Sequence, residues 1–588
     1  MPSIFVLLLL IISSALLFIP STALDSSPPP PPPQSRSLAC KSTPYPKLCR
    51  SILSTIHSSP TDSYENYGKF SVKECKKQAK RTSNLINQFL SSSKKRRSYF
   101  SPAETRALND CSQLSELSVD YLDTISNELN SAESPLSLAL VDRVQSLLSA
   151  IITNQQTCLD GLKDSGSSIP SVLNVPFSNT TELYSVSLGL VSHALSLTRK
   201  RKRKPGKGPA AGHFITNADV DSGWRSGMFH SDSSEPNWVQ RLKNRKRKPT
   251  IGNGNRKLAE GGTPVSEDTT VTVAKDGSGN FTTISDAIAF APNNTKDIVD
   301  GDGYFVVYVT EGIYEDEYVV IPKYKKYIVL IGDGINRTVI TGNRSVIDGW
   351  TTFSSATFAV SGEGFVAMDI TFRNTAGPEK HQAVAVRSNA DLSIFYRCSF
   401  EGYQETLYIH SLRQFYRECD VYGTVDFIFG NSASVFQNCN LIARKPMPRQ
   451  KNAITAQGRT DPNQNTGISI HNCTITASPE LAADLNSTRT FLGRPWKEYS
   501  RTVFMQSYID NVIDPVGWLE WNGTVGLSTL YYGEFDNHGT GANTSTRVQW
   551  PGYNLMSVDQ AVNFTVYNFT LGDTWIPSTN IPFSNGLL

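Results

Sequence analysis

One eleven-residue pattern, written several times over, constrains this chain more than anything else in it. Leu392-Ser-Ile-Phe-Tyr-Arg-Cys-Ser-Phe-Glu-Gly402 recurs in outline as Arg413-Gln-Phe-Tyr-Arg-Glu-Cys-Asp-Val-Tyr-Gly423. It returns as Ala433-Ser-Val-Phe-Gln-Asn-Cys-Asn-Leu-Ile-Ala443 and as Gly467-Ile-Ser-Ile-His-Asn-Cys-Thr-Ile-Thr-Ala477, and Phe365 to Asn374 is a copy without cysteine. Cys398, Cys419 and Cys439 are spaced by about 20 residues, the length of one coil of a parallel β-helix. Cys473 comes later because residues 444–466 insert a longer segment ending in the polar loop 458–466. Residues at one place in successive coils stack at strand spacing, so the four cysteines should form a ladder. A Cys439–Cys473 bridge is the expected pairing, with Cys398 and Cys419 either left as thiols or paired.

The repeats occupy only the later part of 588 residues, which exceed one compact domain. From Cys40 to about Thr198 the periodicity is helical. Leu108, Leu114, Leu117, Val119, Leu122, Ile125 and Leu129 fall roughly three and four apart, as do Leu138, Val141, Val144, Leu147, Leu148, Ile151, Ile152 and Leu159. Such segments joined by short polar loops make an antiparallel helical bundle. One bridge between Cys40 and Cys49 could close the hairpin around Thr43-Pro44-Tyr45-Pro46, and one between Cys75 and Cys111 could staple successive helices, leaving Cys158 over.

Residues 4–19 are apolar apart from Ser13 and Ser14 and lead into Ser21-Thr22-Ala23, so residues 1–23 read as a signal peptide, with an uncleaved signal anchor as the alternative. Six prolines at 28–33 make residues 24–37 an extended spacer. Eleven Asn-x-Ser/Thr acceptors, from Asn179 to Asn568, fit a secreted glycoprotein. Nine cysteines without a Cys-x-x-Cys favour disulfides over a zinc site. Charge is divided: residues 1–260 hold 33 Lys+Arg against 20 Asp+Glu, whereas residues 261–588 hold 23 against 33. The basic runs 199–204 and 245–248 and the Arg256-Lys257 pair lie in a linker, residues 199–259, rich in Gly, Pro and Ser. In a secreted chain such runs are protease sites before they are nucleic-acid sites, so no nucleic-acid partner is expected.

The later part carries a set of side chains sufficient for ester hydrolysis without serine, cysteine, histidine or metal. There is no Gly-x-Ser-x-Gly elbow and no His-Glu-x-x-His. Asp426 stands in the apolar word Val425-Asp-Phe-Ile-Phe429, expected to be a strand, where a carboxylate is costly unless paired; Arg494 is the candidate partner. Glu405 lies about one coil upstream and should sit beside Asp426, protonated while Asp426 is charged. Gln382 lies about one coil before Gln404, so their neutral amides should share a face and suit an oxyanion.

The words Gln382-Ala-Val-Ala-Val386, Tyr403-Gln-Glu-Thr-Leu-Tyr408, Asp426-Phe-Ile-Phe-Gly-Asn431 and Leu492-Gly-Arg-Pro-Trp496 closely resemble those of the plant pectin methylesterases, over about residues 270–588. Residues 38–198, with Thr153-Asn-Gln-Gln-Thr-Cys-Leu-Asp160, resemble the pectin methylesterase inhibitor family. The resemblance implies a four-helix inhibitor-like pro-domain followed, over residues 260–588, by a right-handed parallel β-helix. It implies a secreted, wall-located esterase that removes methyl groups from the galacturonate esters of pectin and needs no cofactor. Asp426 would be the nucleophile, Glu405 the proton donor and then base, and Gln404 the transition-state stabiliser. Thr352, Gln382, Arg494 and Trp496 match substrate-binding positions, and Tyr408, Phe429 and Trp518 are candidate sugar-stacking surfaces. The inhibitor family pairs its first four cysteines consecutively and leaves the fifth free. Arg256-Lys257 resembles the family's processing site, which implies a subtilase-type protease as a partner, alongside possible inhibitor proteins, and no stable membrane insertion after processing. Two words depart from the family: Tyr-Gln-Asp is here Tyr403-Gln-Glu405, and Gly-x-Tyr-x-Glu is here Gly312-Ile-Tyr-Glu-Asp316. The rival readings are a polygalacturonase or pectate lyase on the same fold, disfavoured because no acidic cluster or calcium site surrounds 382–496, and a catalytically dead wall-binding or inhibitory protein.

Overall fold

A computed structural model describes residues 35–56, 64–95, 100–132, 136–167, 169–202, 270–295, 303–315 and 317–588. The signal segment, the proline run and the Arg256-Lys257 pair lie outside them.

Two short helices, α1 (Arg36–Ala39) and α2 (Pro46–Ser54), precede four long ones: α3 (Tyr64–Lys95), α4 (Pro102–Ser131), α5 (Leu138–Asp164) and α6 (Ile169–Lys202). Helix α1 begins inside the segment expected to be spacer, and α6 runs four residues into the expected linker. Local chemistry sets the starts. Ser101 and Glu104 form a reciprocal capping box with Pro102 in the first turn of α4, and Ser137 accepts from Leu140 N–H at the start of α5. Leu108, Leu114, Leu122 and Ile125 on α4 and Val144, Leu148 and Ile151 on α5 are buried where the periodicity places them. Helix α5 is unusual in burying Ser146, Ser149 and Thr153 as well. A helix buried on its polar side has a second partner there, and that partner is the β-rich part of the chain.

The helical cysteines pair differently from expectation. Cys40–Cys49 forms, but Cys111 of α4 is bridged to Cys158 of α5, and Cys75 is a free buried thiol. The reason is facing: Cys75 on α3 points at α6, its Sγ 3.6 Å from the Leu183 carbonyl, while the Cα atoms of Cys111 and Cys158 are 4.6 Å apart.

From Thr270 the chain winds through three parallel sheets, each neighbour in a sheet coming from the next coil. Val386 pairs with Leu407 and Leu407 with Ile428, so one coil is 21 residues; Ile428 then pairs with Thr455 because residues 444–451 bulge out. The repeat is visible as stacked rings inside the coil: Phe395 on Tyr416 at 5.1 Å and Tyr416 on Phe436 at 4.3 Å, nearly coplanar. Cys398, Cys419, Cys439 and Cys473 do form a ladder, but all four are free thiols, and the expected Cys439–Cys473 bridge is absent. Instead Cys419, Cys439 and Cys473 each donate to a carbonyl of the preceding coil, Phe395, Tyr416 and Phe436, at 3.3 to 3.5 Å. Side chains in register point the same way, so the sulfurs satisfy one another's backbone. Among the described residues no helix is long and apolar enough to cross a membrane.

Candidate active site

The site sits on one of the three sheets, where the strands Val386–Ser388, Leu407–Ile409, Ile428–Gly430, Asn452–Gln457 and Thr490–Pro495 lie side by side. Asp426 is not in a strand. It occupies a turn just before Ile428–Gly430 with φ of +53°, and Glu405 occupies the equivalent turn one coil earlier with φ of +61°. Left-handed backbone at a non-glycine residue costs about 1–3 kcal/mol, and other turns of the coil carry it as well. The Glu405 N–H donates to the Val425 carbonyl at 3.0 Å, which sets the two carboxyls in adjacent coils side by side.

Arg494 grips Asp426 with both arms, Nε to Oδ1 and Nη2 to Oδ2, each at 2.8 Å. Asp426 is 2% exposed, so this pairing decides its charge. Burial pushes its carboxyl above the ordinary aspartate value and the guanidinium opposes that. Glu405 is pushed much further up, by burial first and then by the Asp426 charge, against Arg494 and a hydrogen bond with Thr352. Both carboxyls are raised, Glu405 the further, so Glu405 holds its proton to a higher pH than Asp426 does. The Oε1 of Gln404 is buried without a partner. Gln382 stands one residue out of the expected register, since it is Ala383 whose N–H meets the Gln404 carbonyl, at 3.2 Å.

Tyr408 and Phe429 are in register on neighbouring strands and stack at 4.2 Å, with Trp496 6.2 Å from Phe429. Gly458 lets Trp496 lie flat, because a Cβ there would meet the indole at 2.7 Å. Trp518 is no sugar surface: it is 1% exposed, stacks on Tyr532 at 4.1 Å, and donates from Nε1 to Glu534.

The helical bundle closes over this cleft. Thr153, Thr157 and Asp160 of α5, spaced by four and three, form one face of the helix. Asn431 Nδ2 donates to Thr153 Oγ1 at 2.9 Å, Thr157 Oγ1 lies 3.0 Å from His410 Nε2 and 3.5 Å from the Tyr408 hydroxyl, and Lys497 pairs with Asp160 at 2.8 Å. Leu108, Leu162 and Phe177 pack into one apolar cluster with Phe353, Tyr408 and Phe429. Tyr408 and Phe429 keep only 3% exposure each, so the aromatic floor is sealed. The polar loop 458–466 proves to be a saddle: Gln464 Nε2 donates to the Ser149 carbonyl at 2.9 Å, and Ser185 donates to Asp461. At the far edge Arg413, held by Asp391, reaches Asp142 at 3.2 Å, and Arg143 reaches Glu363 at 2.5 Å. Sequence reading missed His410 and Lys497, and named Thr157 and this loop without their contacts across the cleft; the spacing of Thr153, Thr157 and Asp160 was the available signal for the helix face.

The pectinesterase family model matches residues 270–573, and the plant invertase/pectin methylesterase inhibitor model matches residues 35–190. The chain belongs to the pectinesterase family. It is 57% identical over 94% of its length to "Probable pectinesterase/pectinesterase inhibitor 25" of Arabidopsis thaliana, covering 87% of that protein, and 58% identical to "Probable pectinesterase/pectinesterase inhibitor 47", covering 86%. Among solved structures, pectin methylesterase from carrot aligns over all of its own chain and 56% of this one, with 52% identity and a TM-score of 0.53. As a pectinesterase the chain is a carboxylic ester hydrolase acting on pectin.

Proposed function

We propose that this pectinesterase works through a covalent acyl-enzyme on Asp426. An Asp426 carboxylate oxygen attacks the methyl-ester carbonyl of a galacturonate residue, and the oxyanion forms beside the Gln404 and Gln382 amides. The C–OCH3 bond breaks as neutral Glu405 gives its proton to the leaving oxygen, releasing methanol. Water then attacks the anhydride, Glu405 takes the proton back, and the galacturonate carboxylate leaves with Asp426 restored. Tyr408, Phe429 and Trp496 would bear the sugar rings and Thr352 would orient Glu405. The observation that carries this reading is the two-armed Arg494–Asp426 pair, with Glu405 in the equivalent turn one coil earlier.

The chain as a whole is read as a secreted zymogen, its bundle excluding pectin until the linker is cut near Arg256-Lys257. The covered aromatic floor supports this. The test uses the full chain with a site-specific protease sequence inserted in the linker, cut after folding. Uncut protein should release little methanol from methylated pectin and the cut, separated protein much more. In that form Asp426→Asn should lose about 10³-fold or more in rate with the fold retained. Near-normal methanol release by folded Asp426→Asn would sink the assignment.

A further inference from the structure

The floor of the cleft runs in register across the seven-stranded sheet, from Val320 through Arg387, Tyr408, Phe429 and Ala456 to Arg494. This row is lopsided about the reacting carboxyls. Asp426 precedes the strand Ile428–Gly430, which has two strands beyond it on the Arg494 side and four on the Val320 side. At strand spacing these are arms of about 10 Å and about 19 Å. The long arm is open at its end, where Val320 is 53% exposed even under the docked bundle. The short arm is walled. Thr490–Pro495 is the edge strand, and a later turn of the chain is built against it. Leu519 N–H donates to the Gly493 carbonyl at 3.0 Å and Tyr531 N–H to the Ser500 carbonyl at 2.8 Å, so residues 519–530 arch beside Arg494 and Trp496. Thr529 Oγ1 fastens the arch to the Glu498 carbonyl at 2.5 Å. Trp521 of the arch lies over Arg494, with the guanidinium 4.4 Å from the ring centre.

Asn522 follows Trp521, and Asn522-Gly523-Thr524 is an N-glycan acceptor. All three residues are exposed with the bundle docked, and a Cβ added at Gly523 would meet nothing within 4 Å. The turn closes through backbone, Val525 N–H to the Asn522 carbonyl at 3.3 Å. The acceptor thus stands one residue from the ring that covers Arg494, on open ground that the bundle leaves bare. We propose that Asn522 carries an N-linked glycan and that this glycan caps the Arg494 end of the cleft, so that a long pectin chain meets a wall there and a short oligomer does not. The proposal rests on the pectinesterase reading given above. A glycan is bulky and hydrated. It acts here by exclusion: a chain that overruns the short arm has to turn out of the cleft at Trp521, while the ester under attack and its carboxyls are untouched.

The test uses the full chain secreted by a eukaryotic host and cut in the linker after folding. Mass mapping of the peptide that holds Asn522, with and without an N-glycosidase, should show the acceptor occupied. kcat/KM for methanol release is then measured on long methylated pectin and on a short methylated oligomer. Asn522→Gln should raise the long-to-short ratio about fivefold, as removal of a steric block does. Thr524→Ala, which keeps the asparagine and destroys the acceptor, should match it, and Thr524→Ser, which keeps the acceptor, should match the unaltered protein. Trimming the folded protein with the glycosidase should raise the ratio likewise, so the cap is read even where a variant fails to secrete. Asn563→Gln removes an exposed acceptor on the helical segment packed against the 11-stranded sheet, and should leave the ratio alone. An unoccupied Asn522, an unchanged ratio in Asn522→Gln, or an equal rise in Asn563→Gln overturns the cap. If the unaltered protein releases methanol from neither substrate, the pectinesterase reading fails and this one with it, a result that no change of ratio and no peptide mass resembles.

Discussion

Glu405 and Asp426 differ in their neighbours far more than in their chemistry. Asp426 has a guanidinium on both oxygens; Glu405 has a negative neighbour and no cation of its own. Sign follows from the two shifts. The charged form of Asp426 is gained as pH rises through its raised value, and the acid form of Glu405 is lost as pH rises through its still higher one. Methanol release by the cut protein should therefore rise and then fall with pH. Glu405→Asp should stay active, whereas Glu405→Gln should lose about 10²–10⁴-fold and its alkaline limb. An alkaline limb in Glu405→Gln that matches the unaltered protein would remove Glu405 from proton transfer.

At the scale of elements, helix α5 is shared property. Its apolar stripe builds the bundle, while Thr153, Thr157 and Asp160 face the cleft. Replacing Thr157 by arginine forces a long side chain against buried His410 and Tyr408. Overpacking of this kind costs about 1–3 kcal/mol, so Thr157→Arg should loosen the bundle about 10–100-fold and let uncut chain release methanol. No gain in uncut Thr157→Arg, with the bundle folded, would show that this face does not hold the cover in place. The turns before the site strands behave likewise as elements: their left-handed residues recur coil after coil, at Glu405 and Asp426 and, in the cysteine turns, at Arg397, Glu418, Asn438 and Asn472. The functional pair occupies a position that the coil bends at anyway.

Across the whole molecule the docked state is written in carboxylates. Burial against the β-helix raises Asp110 to about 6 from 3.8, although Thr351, Arg387 and Ser354 all pull the other way. Burial also raises Asp164, helped by Asp160, and Asp461. Asp391 moves down despite burial, but its main partner Arg413 lies on its own part of the chain and stays when the bundle leaves. A carboxyl with a higher value docked than free binds a proton on docking. Docking is then strongest below about pH 4 and weakens as pH rises toward about 6. With the linker cut, the bundle should dissociate about tenfold more readily at neutral pH than at pH of about 4.5. Size-exclusion chromatography at the two pH values reads this directly, and Asp110→Asn should flatten the slope. A slope of opposite sign, or one untouched by Asp110→Asn, would count against the carboxylate account.

Much of this was legible in one dimension. The 20-residue repeat specified coils because a period longer than a strand and shorter than a domain has few packed solutions, and the rings of Phe395, Tyr416 and Phe436 stacked as the repeat required. The Asp426–Arg494 pair was legible because a carboxylate among aromatics needs a partner, and the structure supplies it at 2.8 Å. Pairing and facing were not legible. Cys111 meets Cys158 rather than Cys75, the ladder cysteines stay thiols, and Trp518 turns inward, since helix rotation and strand direction are decided by what packs behind them. The cover over the cleft is the extreme case. Its contacts join residues more than 200 and up to 421 positions apart, and no local pattern encodes such a pair. The sequence alone determined the coil, the bundle and the chemistry available; tertiary packing decided that the second sits on the first and which side chains meet there.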